Sequence, residues 1–267
     1  MLFLLIGFYS LQSFAGNDNV PFGGRASGMG TASVMLSDFW SASINQAALV
    51  HYKYAAAGIY YENRFLLKEL SLKGVAVILP TKRGTFGVNY SYFGYSLFNQ
   101  NKVGLAYSMA FGRNFSTGIQ LDWMNFHLGE DYGTKNAFTF EVGLLGKITE
   151  HMQAGIHLFN PINTKLSDYQ NERIPTVINA GLAYDFSGKV LLCVEAEKNI
   201  YEKMNIKAGI EYHFISLSYF RAGISTQPSL VTFGMGLEIK HFMIDIAGSV
   251  HQELGFSPQL SIVYQFK

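Results

Sequence analysis

Gly23 and Gly28 stand five residues apart in the stretch GGRASGMGT (23–31), the G-x-x-x-x-G spacing of a phosphate-cradling loop. Such a loop continues with Lys and then Ser or Thr, because an ammonium must reach the outer phosphates and a hydroxyl must hold magnesium. Here Met29 and Gly30 follow, and no strand pattern precedes the glycines, so the nucleotide and dinucleotide readings both fail. Histidine offers little more. His151 and His157 are read on one strand face, but six residues of extended chain hold them about 20 Å apart, too far to share a metal. His51, His127, His213, His241 and His251 are scattered, and neither G-x-S-x-G nor H-E-x-x-H occurs. The lone Cys193 excludes an intrachain disulfide and a cysteine-rich metal site. No catalytic residue, metal ligand or cofactor is assigned. The remaining candidates are charges embedded in otherwise uncharged segments: Asp122, Glu141, Glu195, Glu197, Lys207, Glu211, Arg221, Glu238 and Asp245.

The elements carrying those charges alternate with period 2. In KVGLAYSMAFG, Val103, Leu105, Tyr107, Met109 and Phe111 take one face while Gly104, Ala106, Ser108, Ala110 and Gly112 take the other, the signature of a strand. The pattern recurs to the carboxyl end, which closes on Leu260, Ile262, Tyr264 and Phe266. With two less regular strands near 54–61 and 69–79, about 14 strands are expected. The second of these mixes faces (Leu72 beside Val75 and Val77), which suggests a bulge. Turn residues at 80–84, 111–114 and 186–188 join neighbours into an antiparallel meander. Longer loops are expected at 94–101, 127–135 and 160–174.

Alternation leaves open whether the apolar face meets a core or lipid. A soluble sandwich would cover its other face with Lys, Thr and Glu, whereas here that face is Gly, Ala and Ser with isolated charges of both signs. Only 15% of residues are charged, 49% are hydrophobic, and the chain holds 22 Phe and 16 Tyr. That composition fits an all-β fold, a transmembrane antiparallel β-barrel with an apolar outside, paired charges inside, and aromatic girdles (Tyr60, Tyr61, Tyr92, Tyr95, Tyr201, Tyr212, Phe214) at its two rims. Closure into a barrel removes the open edges that lipid forbids. A net charge of +1 gives nothing to recruit nucleic acid.

Residues 1–15 begin with a short apolar run, MLFLLIGFYSL, and end in a small-x-small pattern, as an export signal does. The run is too short to span a membrane and lacks the usual positive start, so the beginning given is expected to lie within the true signal. Residues 16–52 are too long and too apolar for an exposed tail, and their natural place is a plug inside the barrel formed by 53–267. Tyr264 and Phe266 at the very end have the character of a barrel-assembly signal.

Gly24, Arg25 and Ala26, then Gly28, Met29 and Gly30, then Asp38, and finally Asn45, Ala47 and Leu49 resemble the "R-A-x-x-M-G … D … N-P-A-x-L" signature of the PorV/PorQ group. That group belongs to the outer-membrane proteins of Bacteroidota and is related to FadL-type fatty acid channels. The segments FRAGIS (220–225) and GMGLEIKHFMIDIAGS (234–249) are similar to the group's last strands. One departure is Gln46, where the signature has proline. The resemblance implies a non-enzymatic barrel of 14 strands with an amino-terminal plug, in the outer membrane of a Gram-negative bacterium. Its partners would be outer-membrane lipid, the barrel-assembly machinery, and secretion-system or other outer-membrane proteins. Two functions follow: an accessory of an assembly such as type IX protein secretion, or a passive FadL-like channel for hydrophobic small molecules. Short loops and a compact chain favour the accessory, with Phe39, Trp40 and the loops 127–135 and 160–174 as candidate contacts.

Overall fold

The structure is a computed structural model that describes residues 21–129, 133–167, 171–215 and 217–267. The predicted signal (1–15) and the start of the predicted plug lie outside these residues. Fourteen strands follow one another in chain order. The first seven are β1 (Ala55–Asn63), β2 (Ser71–Pro80), β3 (Thr85–Tyr95), β4 (Phe98–Phe111), β5 (Phe115–Leu128), β6 (Thr134–Lys147) and β7 (Met152–Phe159). The second seven are β8 (Val177–Phe186), β9 (Val190–Asn199), β10 (Asn205–Ile215), β11 (Ser218–Thr226), β12 (Ser229–Ile239), β13 (Phe242–His251) and β14 (Gly255–Phe266). Each pairs antiparallel with its neighbours, and β1 pairs with β14 from Ala55↔Phe266 to Glu62↔Gln259, closing the barrel. Among the described residues no helix is long and apolar enough to cross a membrane.

The alternation is realised as expected from its period. Along β8, Ile178, Leu182, Tyr184 and Phe186 are exposed, as are Val231, Phe233, Met235, Leu237 and Ile239 along β12. An apolar band of this kind, running around the outer wall, is stable against hydrocarbon and unstable against water. The other face of each strand is buried or half-buried. Both termini of the barrel, and the tight connections at 80–85, 111–115 and 239–242, lie at one end, here the termini end. The connections 147–152 and 186–190 lie there too, and those at 63–71, 95–98, 199–205, 226–229 and 251–255 lie at the opposite, loop end, as do the end of β7 and the start of β8.

Three expectations are corrected. β2 has no bulge: its pairing with β1 and β3 runs without a register shift. Both faces are apolar because Leu72, Ala76 and Ile78 point inward onto a buried apolar cluster with Phe22, Phe39 and Trp40. The register shift falls instead between His213 and Ile215. The long loop at 94–101 is a two-residue turn, since β3 runs to Tyr95 and β4 starts at Phe98. Its polar residues pair across strands, with Tyr90 Oη donating to Asn101 Oδ1 at 2.8 Å and Asn101 Nδ2 donating to Asn125 Oδ1 at 3.5 Å. Finally, Tyr60 is no girdle residue. It is 4% exposed and packs inward beside Phe22 and Trp40.

Residues 22–49 lie within the ring of strands. Phe22 meets Gly74 of β2, Phe39 meets Gly58 of β1, Gln46 meets Gly118 of β5, Val34 meets Gly155 of β7, and Met29 meets Gly209 of β10. Only a segment inside the lumen can touch the inner face on all these sides. The segment contains two short helices, α1 (Gly24–Gly28) and α2 (Ser41–Ile44), and a 3-10 turn over Gln46–His51. The inward glycines make room for its backbone. A Cβ on Gly223 would overlap the Met29–Gly30 peptide, and one on Gly118 would overlap the Gln46–Ala47 peptide.

Candidate functional site

The inner wall and the amino-terminal segment meet through three groups of buried charges. The first is built on α1. Arg25 makes a two-pronged contact with Glu211 of β10, Nε to Oε2 at 2.9 Å and Nη2 to Oε1 at 2.7 Å, and reaches Asp38 Oδ2 at 3.4 Å. Glu211 also accepts from Arg221 Nε at 2.6 Å, and Arg221 Nη1 donates to Asp245 Oδ1 at 2.5 Å. Burial alone would lower the pKa of Arg25, but Glu211 and Asp38 outweigh it and hold the group firmly charged. Burial pushes Asp38 up from the usual carboxylate range, with Arg25 opposing. The other Asp38 oxygen, Oδ1, accepts from Trp40 N at 2.8 Å and fixes the turn into α2.

The second group lies in the wall on the opposite side. Glu141 of β6 accepts from Lys102 Nζ, from His157 Nε2 at 3.0 Å and from Gln46 Nε2 at 2.6 Å. Lys102 also faces Asp122 Oδ1 at 3.6 Å. The amino-terminal segment contributes only the neutral amide of Gln46. Two acceptors in this group, Gln46 Oε1 and Asp122 Oδ2, are buried without a hydrogen-bond partner.

The third group centres on Glu195 of β9, which is 2% exposed. Its Oε2 accepts from the backbone N–H of Ser33 at 2.7 Å and of Val34 at 2.8 Å. Its Oε1 accepts from Lys207 Nζ at 3.1 Å and from Asn179 Nδ2 at 2.8 Å. Lys207 bonds Glu197 Oε2 at 2.8 Å as well.

The signature positions are the segment's other points of attachment. Gly28 O accepts from Thr232 Oγ1 at 3.1 Å, and Gly30 N donates to the same oxygen at 2.8 Å. Asn45 bridges: its Nδ2 donates to Val34 O at 2.6 Å, and its Oδ1 accepts from Ala47 N at 3.2 Å. Ala47 O accepts from Ser116 Oγ at 2.7 Å. Ala26, Met29 and Leu49 are buried, Leu49 against Gly87.

Other residues singled out in the sequence are placed elsewhere. Glu238 sits at the termini-end rim and pairs with Lys267 at 3.4 Å, apart from the three groups. Tyr264 and Phe266 point outward, with rings 4.9 Å apart. His151 lies exposed in the turn before β7, its ring tilted beside that of Tyr184, so it shares no face with the buried His157. Phe39 and Trp40 are 1% and 2% exposed, which removes them as partner contacts while the segment is in place. Lys102, His157 and Gln46 belong to the site and were not singled out for it. Lys102 carries a readable signal, since it continues the face of Gly104, Ala106 and Ser108 in the alternation of β4.

Two cavities flank the segment. At the loop end a vestibule of about 290 Å³ has a floor of Pro21, Ser27 and Thr31, and walls that include Tyr60, Phe65, Glu197 and Lys207. At the termini end a cavity of about 430 Å³ is lined by Ser37 and His51 of the segment and by Arg113, Lys147, Gln153 and Leu191. Between them a void of only about 20 Å³ remains beside Ser33, Val34 and Glu195. Among the described residues no group of three or more His, Cys, Asp or Glu side chains could hold a metal.

Neither a family model nor a curated protein matches this chain. Solved structures do. The Ralstonia pickettii toluene transporter TbuX aligns over 92% of this chain and 98% of its own, with TM-score 0.70 and 12% identity. The chain has the fold of such channels. The CymD monoaromatic hydrocarbon channel aligns over 91% and 97%, with TM-score 0.69 and 12% identity. A Pseudomonas aeruginosa FadL homologue aligns over 92% and 98%, with TM-score 0.64 and 12% identity. These neighbours are channels and transporters, not enzymes.

Proposed function

We propose that the protein is a FadL-like passive channel for small, largely apolar molecules in the outer membrane of a Gram-negative bacterium, closed at rest by its amino-terminal segment. One observation carries this reading: a vestibule of about 290 Å³ at the loop end, walled in part by Tyr60, Phe65 and Leu230, whose floor is the segment itself. A concave site with a partly apolar wall and a few polar groups suits a small molecule. The shared fold with hydrocarbon channels supports the same reading. Uptake of radiolabelled toluene and of a long-chain fatty acid by cells that lack such a channel, with and without this protein, tests it. Faster entry of either compound is expected; equal entry of both sinks the reading.

A second reading, the PorV/PorQ-type accessory of type IX protein secretion, is favoured by a different observation. The middle of the lumen is filled and tied by charge-assisted bonds, with only about 20 Å³ left open beside Glu195. A stoichiometric secretion partner, recovered with the native protein from detergent-solubilised membranes, would establish it.

A further inference from the structure

The two cavities approach the same few residues from opposite ends. From the loop end, the vestibule leads past Glu197 and Lys207 to the small void beside Ser33 and Val34. From the termini end, the larger cavity reaches Ser37 and Gln153. The barrier between them is therefore a single short turn of the segment, Ser33 to Ser37, lying against β7, β8 and β9. Val34 and Met35 sit directly on Gly155 of β7 and Gly181 of β8.

This stretch belongs to neither short helix nor the 3-10 turn; Leu36 N donates to Ser33 O at 2.9 Å within it, and its other buried backbone groups need partners from elsewhere. The wall supplies them. Glu195 accepts from Ser33 N and Val34 N, and Gln153 Nε2 donates to Met35 O at 2.6 Å. Asn45 holds Val34 O from within the segment. A buried carboxylate that takes two backbone N–H groups on one oxygen is a strong anchor. Elsewhere the segment has side-chain attachments of its own, Arg25 to Glu211, Gly30 to Thr232, Gln46 to Glu141 and Ala47 to Ser116, which hold the rest seated if this short stretch shifts. Polar groups line the wall it would uncover: Asn179, Glu195, Glu197 and His157.

We infer that Ser33–Ser37 is the gate of an axial passage between the two cavities, and that Glu195 is the positioning residue that holds it shut. The inference rests on the channel reading but is tested apart from it. A passage lined by these side chains takes up water and ions once the stretch is displaced, so KCl conductance reports the gate directly. Glu195→Ala, and Gln153→Ala as a second variant, are compared with the unaltered protein in planar bilayers in KCl. Folding of each is verified by the heat-dependent shift in gel migration of an intact barrel. The unaltered protein is expected to stay closed. Glu195→Ala should raise the open fraction by at least about tenfold, since two hydrogen bonds to a charged acceptor are lost. Gln153→Ala should raise it less. Folded variants that stay closed overturn the inference. If they stay closed while the unaltered protein still speeds toluene entry, the gate is wrong and the channel stands, with its route elsewhere. If they conduct while no apolar compound enters cells, the gate stands and the hydrophobic-solute reading falls.

Discussion

Two of the buried charge groups invite comparison, because the same segment touches both and contributes differently to each. On the β10–β13 side it brings a charge of its own: Arg25 completes a chain in which Glu211 is shared by two guanidinium groups and Asp245 is held by Arg221. On the β4–β7 side the wall supplies the partners itself, with Lys102 against Asp122 and Glu141 and His157 hydrogen-bonded to Glu141, and the segment adds the amide of Gln46. The first group is therefore incomplete without the segment, whereas the second is nearly complete. A buried charge deprived of its partner is costly, and a neutral amide is far less so. The β10–β13 side thus fixes the segment energetically, while the β4–β7 side chiefly fixes its position.

The largest effect should come from Glu211→Ala, which leaves Arg25 and Arg221 buried against each other without their shared carboxylate. Breaking such a pair costs about 3–5 kcal/mol. Urea unfolding in micelles, followed by Trp40 fluorescence in a Trp123→Phe background, should show the segment leaving at much lower denaturant. Trp40 lies in the segment and Trp123 faces outward, so one emission reports the segment alone. An unchanged midpoint would dissolve the contrast drawn here.

Arg25→Ala should come next, at about 1.5–3 kcal/mol for its bonds to a charged acceptor. Glu211 keeps Arg221, which limits the loss. Limited proteolysis between residues 30 and 50 should become detectable while the strands stay protected.

Gln46→Pro sharpens the other side. Asn45 is already extended, with φ −150° and ψ 101°, as a residue before proline must be, and position 46 opens the 3-10 turn, where proline is accepted. The backbone therefore fits the signature's proline, and what is lost is the side-chain bond to Glu141, about 1.5 kcal/mol, with the longer one to Gln120 at 3.4 Å. A loss as large as that of Arg25→Ala would show that the β4–β7 group depends on the segment after all.

The smallest effect is with pH. His51 packs at the termini end with its Nε2 at 3.2 Å from Ser116 Oγ, and burial lowers its pKa from the ordinary 6.5. The folded state then binds fewer protons than the unfolded one just below that value, so its contribution is full above pH 6.5 and is lost as pH falls beneath it. His51→Gln should flatten the slight drop in unfolding midpoint between neutral and mildly acidic solution; an identical drop in the variant would assign it to other groups.

The outer wall was readable from the chain because its cause is local. Tyr184 and Phe186, or Phe233 and Met235, declare their face by their neighbours two residues away, and lipid accepts any apolar side chain on that face. The inner face was readable only in kind. Its Gly, Ala and isolated charges announced an internal occupant, and residues 22–49 lie against the inner glycines. The apolar inner residues of β2 and the inward Tyr60 were misread, because a side chain facing a protein plug looks like one facing lipid. The Asn-containing tips of β3 and β4 (94–101) were misread as loop, because polar residues above the apolar band pair across strands.

The sequence by itself determined a closed, antiparallel barrel of 14 alternating strands with something small-residue-lined inside, since period 2 and strand-length spacing are properties of neighbouring residues. Which charges meet was decided only by the tertiary structure. Arg25 and Glu211 are 186 residues apart, and Ser33 and Glu195 are 162. Their meeting depends on the stagger of strands around the ring and on where each turn of the segment comes to rest against a wall glycine. Those are relations of the whole closed surface, and no stretch of chain contains them.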